Sequence, residues 1–120
     1  MIIAFYIVAG LTALAFLAFG LMKLARPKAA LKQSGLVWVD DFSSTSVKLI
    51  GLAEVLGAVG LILPMATGIA PILSPIAGLC LAVVMIGAVI VHVRRKETPL
   101  PAVILVLLPL AAAILGFLAL

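Results

Sequence analysis

The chain has 120 residues, of which 67% are hydrophobic and only 10% charged, with a mean hydropathy of +1.48; this excludes an ordinary water-soluble globular domain and makes lipid the solvent for most of the surface. Eight Lys and Arg against four Asp and Glu give a net charge of +4, yet the basic residues stand in short clusters beside apolar runs, a placement that reads as membrane orientation and excludes nucleic acid as the partner. The lone cysteine, Cys80, excludes an intramolecular disulfide and dithiol chemistry within the chain.

The expected fold is all-α, an integral membrane four-helix bundle formed as a single transmembrane domain over residues 1–120. Its spans are predicted at about 2–25, 47–63, 75–94 and 102–119, with an interfacial segment at 26–46. From Ile2 to Leu24 the only charge is Lys23, and about 23 residues at a rise of about 1.5 Å cross a hydrocarbon core of about 30 Å. No positive stretch precedes this run as it would in a cleaved signal peptide, so it reads as a retained span. Pro27 and the cluster Arg26, Lys28 and Lys32 predict its end near Ala25. Residues 26–46 mix Leu36, Val37, Trp38, Val39 and Phe42 with Asp40 and Asp41, as suits a segment lying on the bilayer surface with Trp38 as interface anchor. Asp40 and Asp41 are expected to cap a helix through Phe42 to Ser46.

The second run, Val47 to Leu63, is closed in this reading by Pro64. The third is predicted to start with Ser74 as N-cap and Pro75 at the first helical position, and to end before the RRKE sequence at 94–97. The fourth comes after Pro99 and Pro101 and carries Pro109 inside it as a kink. Basic residues flank the first and third connections, and the connection at 64–74 has no charge. The positive-inside rule therefore puts both termini outside and loops 26–46 and 94–99 in the cytoplasm.

Glu54 is the most informative residue, because a carboxylate in hydrocarbon must be protonated, paired or turned toward a cavity. Helical spacing puts Gly51, Glu54, Ala58 and Leu61 on one face, with Ala53, Gly57 and Gly60 on an adjacent small-residue stripe. Gly51, Gly57 and Gly60 are thus expected to pack helices closely and Glu54 to face the bundle. It is either a proton carrier or anchor for a lipophilic ligand, or a partner in an interhelical hydrogen bond or ion pair. His92 shares a stripe with Leu81, Met85 and Ala88 and is either a proton-transferring or ligand-contacting imidazole or an ordinary interface residue. As the only histidine it excludes bis-histidine haem ligation and a zinc site built from this chain alone. Lys23 and Lys48 are expected to snorkel to the headgroups, with an inward reach toward Glu54 as the alternative. Cys80 is expected as a small packing residue. No catalytic triad, phosphate-cradling loop or paired carboxylates at catalytic spacing is present.

Three segments, FGLMKL at 19–24, KLIGLAEVLGAVGLILP at 48–64 and GLCLAVVMIGAVIVHVRRKE at 78–97, together resemble the DoxX family of small four-helix membrane proteins. The resemblance implies residence in a bacterial cell membrane, with Lys23, Glu54 and His92 as the positions that match the family's polar pattern. The family takes its name from a membrane subunit of a thiosulfate:quinone oxidoreductase, and some relatives are linked to oxidative-stress assemblies in the membrane. The resemblance also implies a quinone-linked redox duty, with quinone as the candidate cofactor. A direct thiol or sulfur relay is not implied, since this sequence has no dithiol.

The leading expectation is an accessory or redox-linked subunit, not an autonomous enzyme, that binds a quinone or lipid between its helices beside Glu54. A small proton-coupled transporter working as a homo-oligomer, and a structural or assembly subunit for other membrane or redox subunits, are the alternatives.

Overall fold

In hydrocarbon every backbone N–H and C=O must find its partner inside the chain, so long apolar runs become helices. The computed structural model describes residues 1–120. It contains α1 (Ile2–Ala25), α2 (Lys28–Gln33), a short 3-10 helix (Val37–Asp41), α3 (Ser44–Thr67), α4 (Leu73–Arg94) and α5 (Leu100–Ala119). Four of these, α1, α3, α4 and α5, are long and apolar enough to cross a membrane. The molecule measures 41 × 26 × 17 Å, its long dimension matching a bilayer of about 40–45 Å with its headgroups.

The four long helices alternate in direction and close into a ring in which α1 and α4 each pack against α3 and α5. At the end that carries loop 64–74 the ring is tight because the contact residues are small. A side chain at Gly78 would stand 2.8 Å from the Pro109 carbonyl, and one at Gly116 would meet Phe5 and Pro75 at 3.0 and 3.1 Å. Phe5, Phe16, Leu61 and Leu81 fill the space between them. Toward the basic loops α1 and α3 stay close at Gly20 and Gly51, a cavity opens between them and α4 and α5, and the connection between α1 and α3 lines one side of it. Leu31 of α2 and Val39 of the 3-10 helix are fully buried against Val47 of α3, giving this cover a small apolar core of its own.

Several expected boundaries shift for local reasons. Ser43, and neither Asp40 nor Asp41, caps α3: its Oγ accepts from the Ser46 N–H at 3.1 Å. The helix therefore begins at Ser44 and not at Val47. Pro64 does not close it, because α3 continues to Thr67 and stops at Gly68, whose φ of 72° is left-handed. The turn beyond the proline is supported from outside the helix: the Met65 N–H donates to Ser74 Oγ at 2.9 Å. Ser74 is thus a buried acceptor inside α4, which starts at Leu73, and not its N-cap. Cys80, expected in the packing, is exposed on the outer surface.

Candidate functional site

The site begins with the stripe Val47, Gly51, Glu54, Ala58 and Leu61, which is the buried face of α3. Gly20 of α1 and Gly51 of α3 let the two backbones approach: a side chain at Gly20 would stand 2.7 Å from the Gly51 carbonyl, and one at Gly51 would stand 2.8 Å from Lys23 Cβ. This close crossing sets Lys23, in the last turn of α1, directly beside Glu54. The Lys23 ammonium donates to Glu54 Oε1, with the two residues 7% and 2% exposed. Lys23 therefore turns inward and does not snorkel. Its Nζ also lies 5.5 Å from the Trp38 ring centroid and 5.8 Å from that of Phe19, within cation–π range.

Lys48 takes a different role. Its Nζ donates to the carbonyls of Lys23 at 3.2 Å, Leu24 at 2.8 Å and Arg26 at 3.2 Å, so it caps the unsatisfied end of α1. The remaining glycines named from sequence meet α4: side chains at Gly57 and Gly60 would run into Leu81 and Ala77.

Beside the Lys23–Glu54 pair lies a cavity of about 520 Å³. Its walls are apolar residues of α3, α4 and α5, including Ile50, Val84, Met85 and Leu105; Phe19, Trp38 and Phe42 add aromatic surface. Trp38, expected as an interface anchor, is half-buried on the 3-10 helix, packs edge-on against Phe42 with centroids 5.6 Å apart, and lines this cavity. His92 lines it as well. Its Nδ1 is sealed from solvent without a hydrogen-bond partner and sits 4.0 Å from Glu97 Oε2. The structure thus brings Lys23, Glu54, His92 and Trp38 to one cavity.

A latch at the basic end fastens the cover. Lys96 adopts a left-handed φ of 58°, and the Glu97 N–H returns to the His92 carbonyl at 3.0 Å. This turn sets Glu97 Oε1 2.5 Å from Arg95 Nε, while Arg95 Nη1 reaches Asp41 Oδ2 at 2.7 Å. The hydrogen bonds that Arg95 donates to Asp41, and then to Glu97, raise its pKa and secure its charge. Asp40 pairs with Lys32 at 2.7 Å, and that hydrogen bond lowers its pKa from the ordinary aspartate value. Both aspartates therefore tie the connection down and leave helix capping to Ser43.

Sequence reasoning missed the latch, because Asp41 and Arg95 are far apart in the chain. It also missed Gly87, which lines the cavity, is exposed and has nothing within 4 Å of the position a Cβ would take. The signal for Gly87 was its isolation: one glycine in an otherwise bulky stretch of α4.

Fold and site together define a membrane protein of four spanning helices with a lysine–glutamate pair buried beside an apolar cavity. The family model described as the DoxX-like family matches residues 7–115, and the chain belongs to that family. Among curated proteins and among solved structures nothing matches.

Proposed function

We propose that this DoxX-like protein is an accessory or redox-linked membrane subunit that holds a lipophilic molecule with a polar head, a quinone or a lipid, in the cavity beside Lys23 and Glu54. The observation that carries this reading is the cavity itself: about 520 Å³ of apolar and aromatic wall meeting one buried ion pair. Small-molecule sites have this character, with volumes of about 300–1,000 Å³ and a few polar groups that fix orientation.

The residues fit a quinone head. The Lys23 ammonium has three donors, one of them committed to Glu54, and the others suit a carbonyl or hydroxyl oxygen. Phe19, Trp38 and Phe42 offer ring faces and edges to a flat head. His92 supplies a second polar group; with Nδ1 turned toward Glu97, Nε2 is the nitrogen left for a ligand. When bound, a quinone would bring the capacity to accept electrons, and this chain's residues would orient its head and exclude water. The small-exporter alternative is less favoured, because it needs a carboxylate that exchanges protons with both sides, whereas Glu54 is 2% exposed and engaged by Lys23.

Gentle extraction in membrane discs, followed by mass spectrometry of retained small molecules, tests the proposal. Wild type should retain a defined quinone or lipid that Glu54→Gln loses. Gly87→Phe, which leaves the ion pair intact and fills the cavity from its wall, should lose it too. The same nonspecific lipids in all three would overturn the binding reading.

A further inference from the structure

The ion pairs of this chain leave a group of cations without acids, and those cations share a cleft. All four carboxylates are engaged: Glu54 with Lys23, Asp40 with Lys32, Asp41 with Arg95, and Glu97 with Arg95. Arg26, Lys28 and Lys48 have only neutral oxygens as partners. Arg26 Nη1 donates to Ser34 Oγ at 3.2 Å, Lys28 Nζ to the Phe42 carbonyl at 2.5 Å, and Lys48 Nζ to the last carbonyls of α1.

These three residues line a cleft of about 270 Å³ between the end of α1 and the start of α3, together with Pro27, Ser44 and Val47, and Lys23 belongs to its wall. No acidic residue lines it. Ser44 opens the first turn of a 24-residue helix; Ser43 Oγ takes the Ser46 N–H, while the Ser44 and Thr45 N–H groups have no intrahelical acceptor and favour an anion. Like charges gathered in one concave place repel one another, and an anion seated among them removes that repulsion.

We propose that this cleft binds the phosphate of an anionic phospholipid. Its position argues for a lipid over a soluble anion. It lies where two spanning helices leave the hydrocarbon, and the adjoining turns of α1 and α3 carry the exposed leucines Leu21, Leu49 and Leu52, an apolar surface for acyl chains. The site shares Lys23 with the apolar cavity, but Arg26, Lys28 and Lys48, on which it is built, do not line that cavity.

The test is native mass spectrometry of the full chain in mixed micelles containing equal phosphatidylglycerol and phosphatidylcholine. Wild type should carry phosphatidylglycerol preferentially, and the double variant Arg26→Gln/Lys28→Gln should lower that preference about tenfold. Arg94→Gln/Lys96→Gln, which removes the same charge from residues outside the cleft and without acidic partners, should leave it unchanged. The single variant Arg26→Gln, whose side chain makes a single hydrogen bond, to exposed Ser34, guards against misfolding as the cause and should lower the preference in the same direction. Equal losses in both double variants, or no preference in wild type, would overturn the site. Binding of inorganic phosphate by the lipid-free protein, lost in Arg26→Gln/Lys28→Gln and competing fully with phosphatidylglycerol, would assign the cleft to a soluble phosphate and overturn the lipid.

Discussion

Lys23 and Glu54 each carry a charge that hydrocarbon tolerates only with a partner. Removing one partner should therefore do more damage than removing both. Lys23→Met, which leaves Glu54 buried and unpaired, is expected to lower stability by about 3 kcal/mol, whereas Lys23→Met/Glu54→Met should recover most of that loss; thermal unfolding in one detergent measures the cycle. A double variant as unstable as the sum of the singles would show that the pair does not act as a unit. Among single residues the sequence was informative where a side chain had no cheap place to be. Glu54 announced itself as a lone carboxylate in an apolar run, and the spacing of Gly51, Ala58 and Leu61 correctly turned it toward the bundle. Lys23 was harder to assign, because a lysine near a helix end satisfies itself equally well at the headgroups or against an inward partner. The choice rests on Gly20 and Gly51, which bring α1 and α3 close enough for the inward reach.

The crossing of α1 and α3 at those glycines has its own consequence. Gly20→Ala would press a methyl against the Gly51 carbonyl at 2.7 Å and should cost about 1–3 kcal/mol. Gly10→Ala on the same helix, with nothing within 4 Å, should be neutral or slightly stabilising in the same unfolding measurement. The cover over the cavity depends on the Arg95–Asp41 contact, so Arg95→Gln should speed amide hydrogen exchange in residues 35–42 and leave the long helices unchanged. The Lys32–Asp40 pair sets a pH window. Because the folded pKa of Asp40 is lowered, its contribution is present above the unfolded aspartate value of about 3.9 and is lost as pH falls through the folded value. Protection factors in the cover, which remove the intrinsic pH dependence of amide exchange, should therefore match at pH 5 and pH 7 and fall only under stronger acid. Little of this was legible in the sequence. The connection read as an interfacial mixture of apolar and charged residues, but the pair that fastens it, Asp41 with Arg95, joins residues distant in the chain, and a motif read along one stretch of sequence does not contain it. Helix ends erred similarly: Pro64 looked like a stop, yet Ser74 from the neighbouring helix supports the turn beyond it.

For the molecule as a whole, hydropathy and the spacing of charges were enough to anticipate four membrane-spanning helices, since lipid permits few alternatives. They could not anticipate that small residues would close one end of the bundle while the other opens into a cavity, because that difference arises from side chains of four helices meeting. The basic residues at the cavity end predict which side of the membrane it serves. With Cys80 replaced by Ser, a cysteine at Thr98 should react with a membrane-impermeant maleimide only after the cells are permeabilised, and a cysteine at Thr67 should react in intact cells. The reverse pattern would place the cavity in the opposite leaflet.

A lipophilic head held in the cavity beside Lys23 and Glu54 would sit against a built-in reporter: Trp38 is the single tryptophan and lines that cavity. Titrating the protein in lipid discs with a decyl-chain benzoquinone should quench Trp38 fluorescence saturably in wild type. In Glu54→Gln and Gly87→Phe the midpoint should move to at least about tenfold higher concentration, the equivalent of about 1.4 kcal/mol. Linear, unsaturable quenching that is identical in all three proteins would mean that the quinone reaches Trp38 only from bulk lipid, and that the cavity does not hold its head.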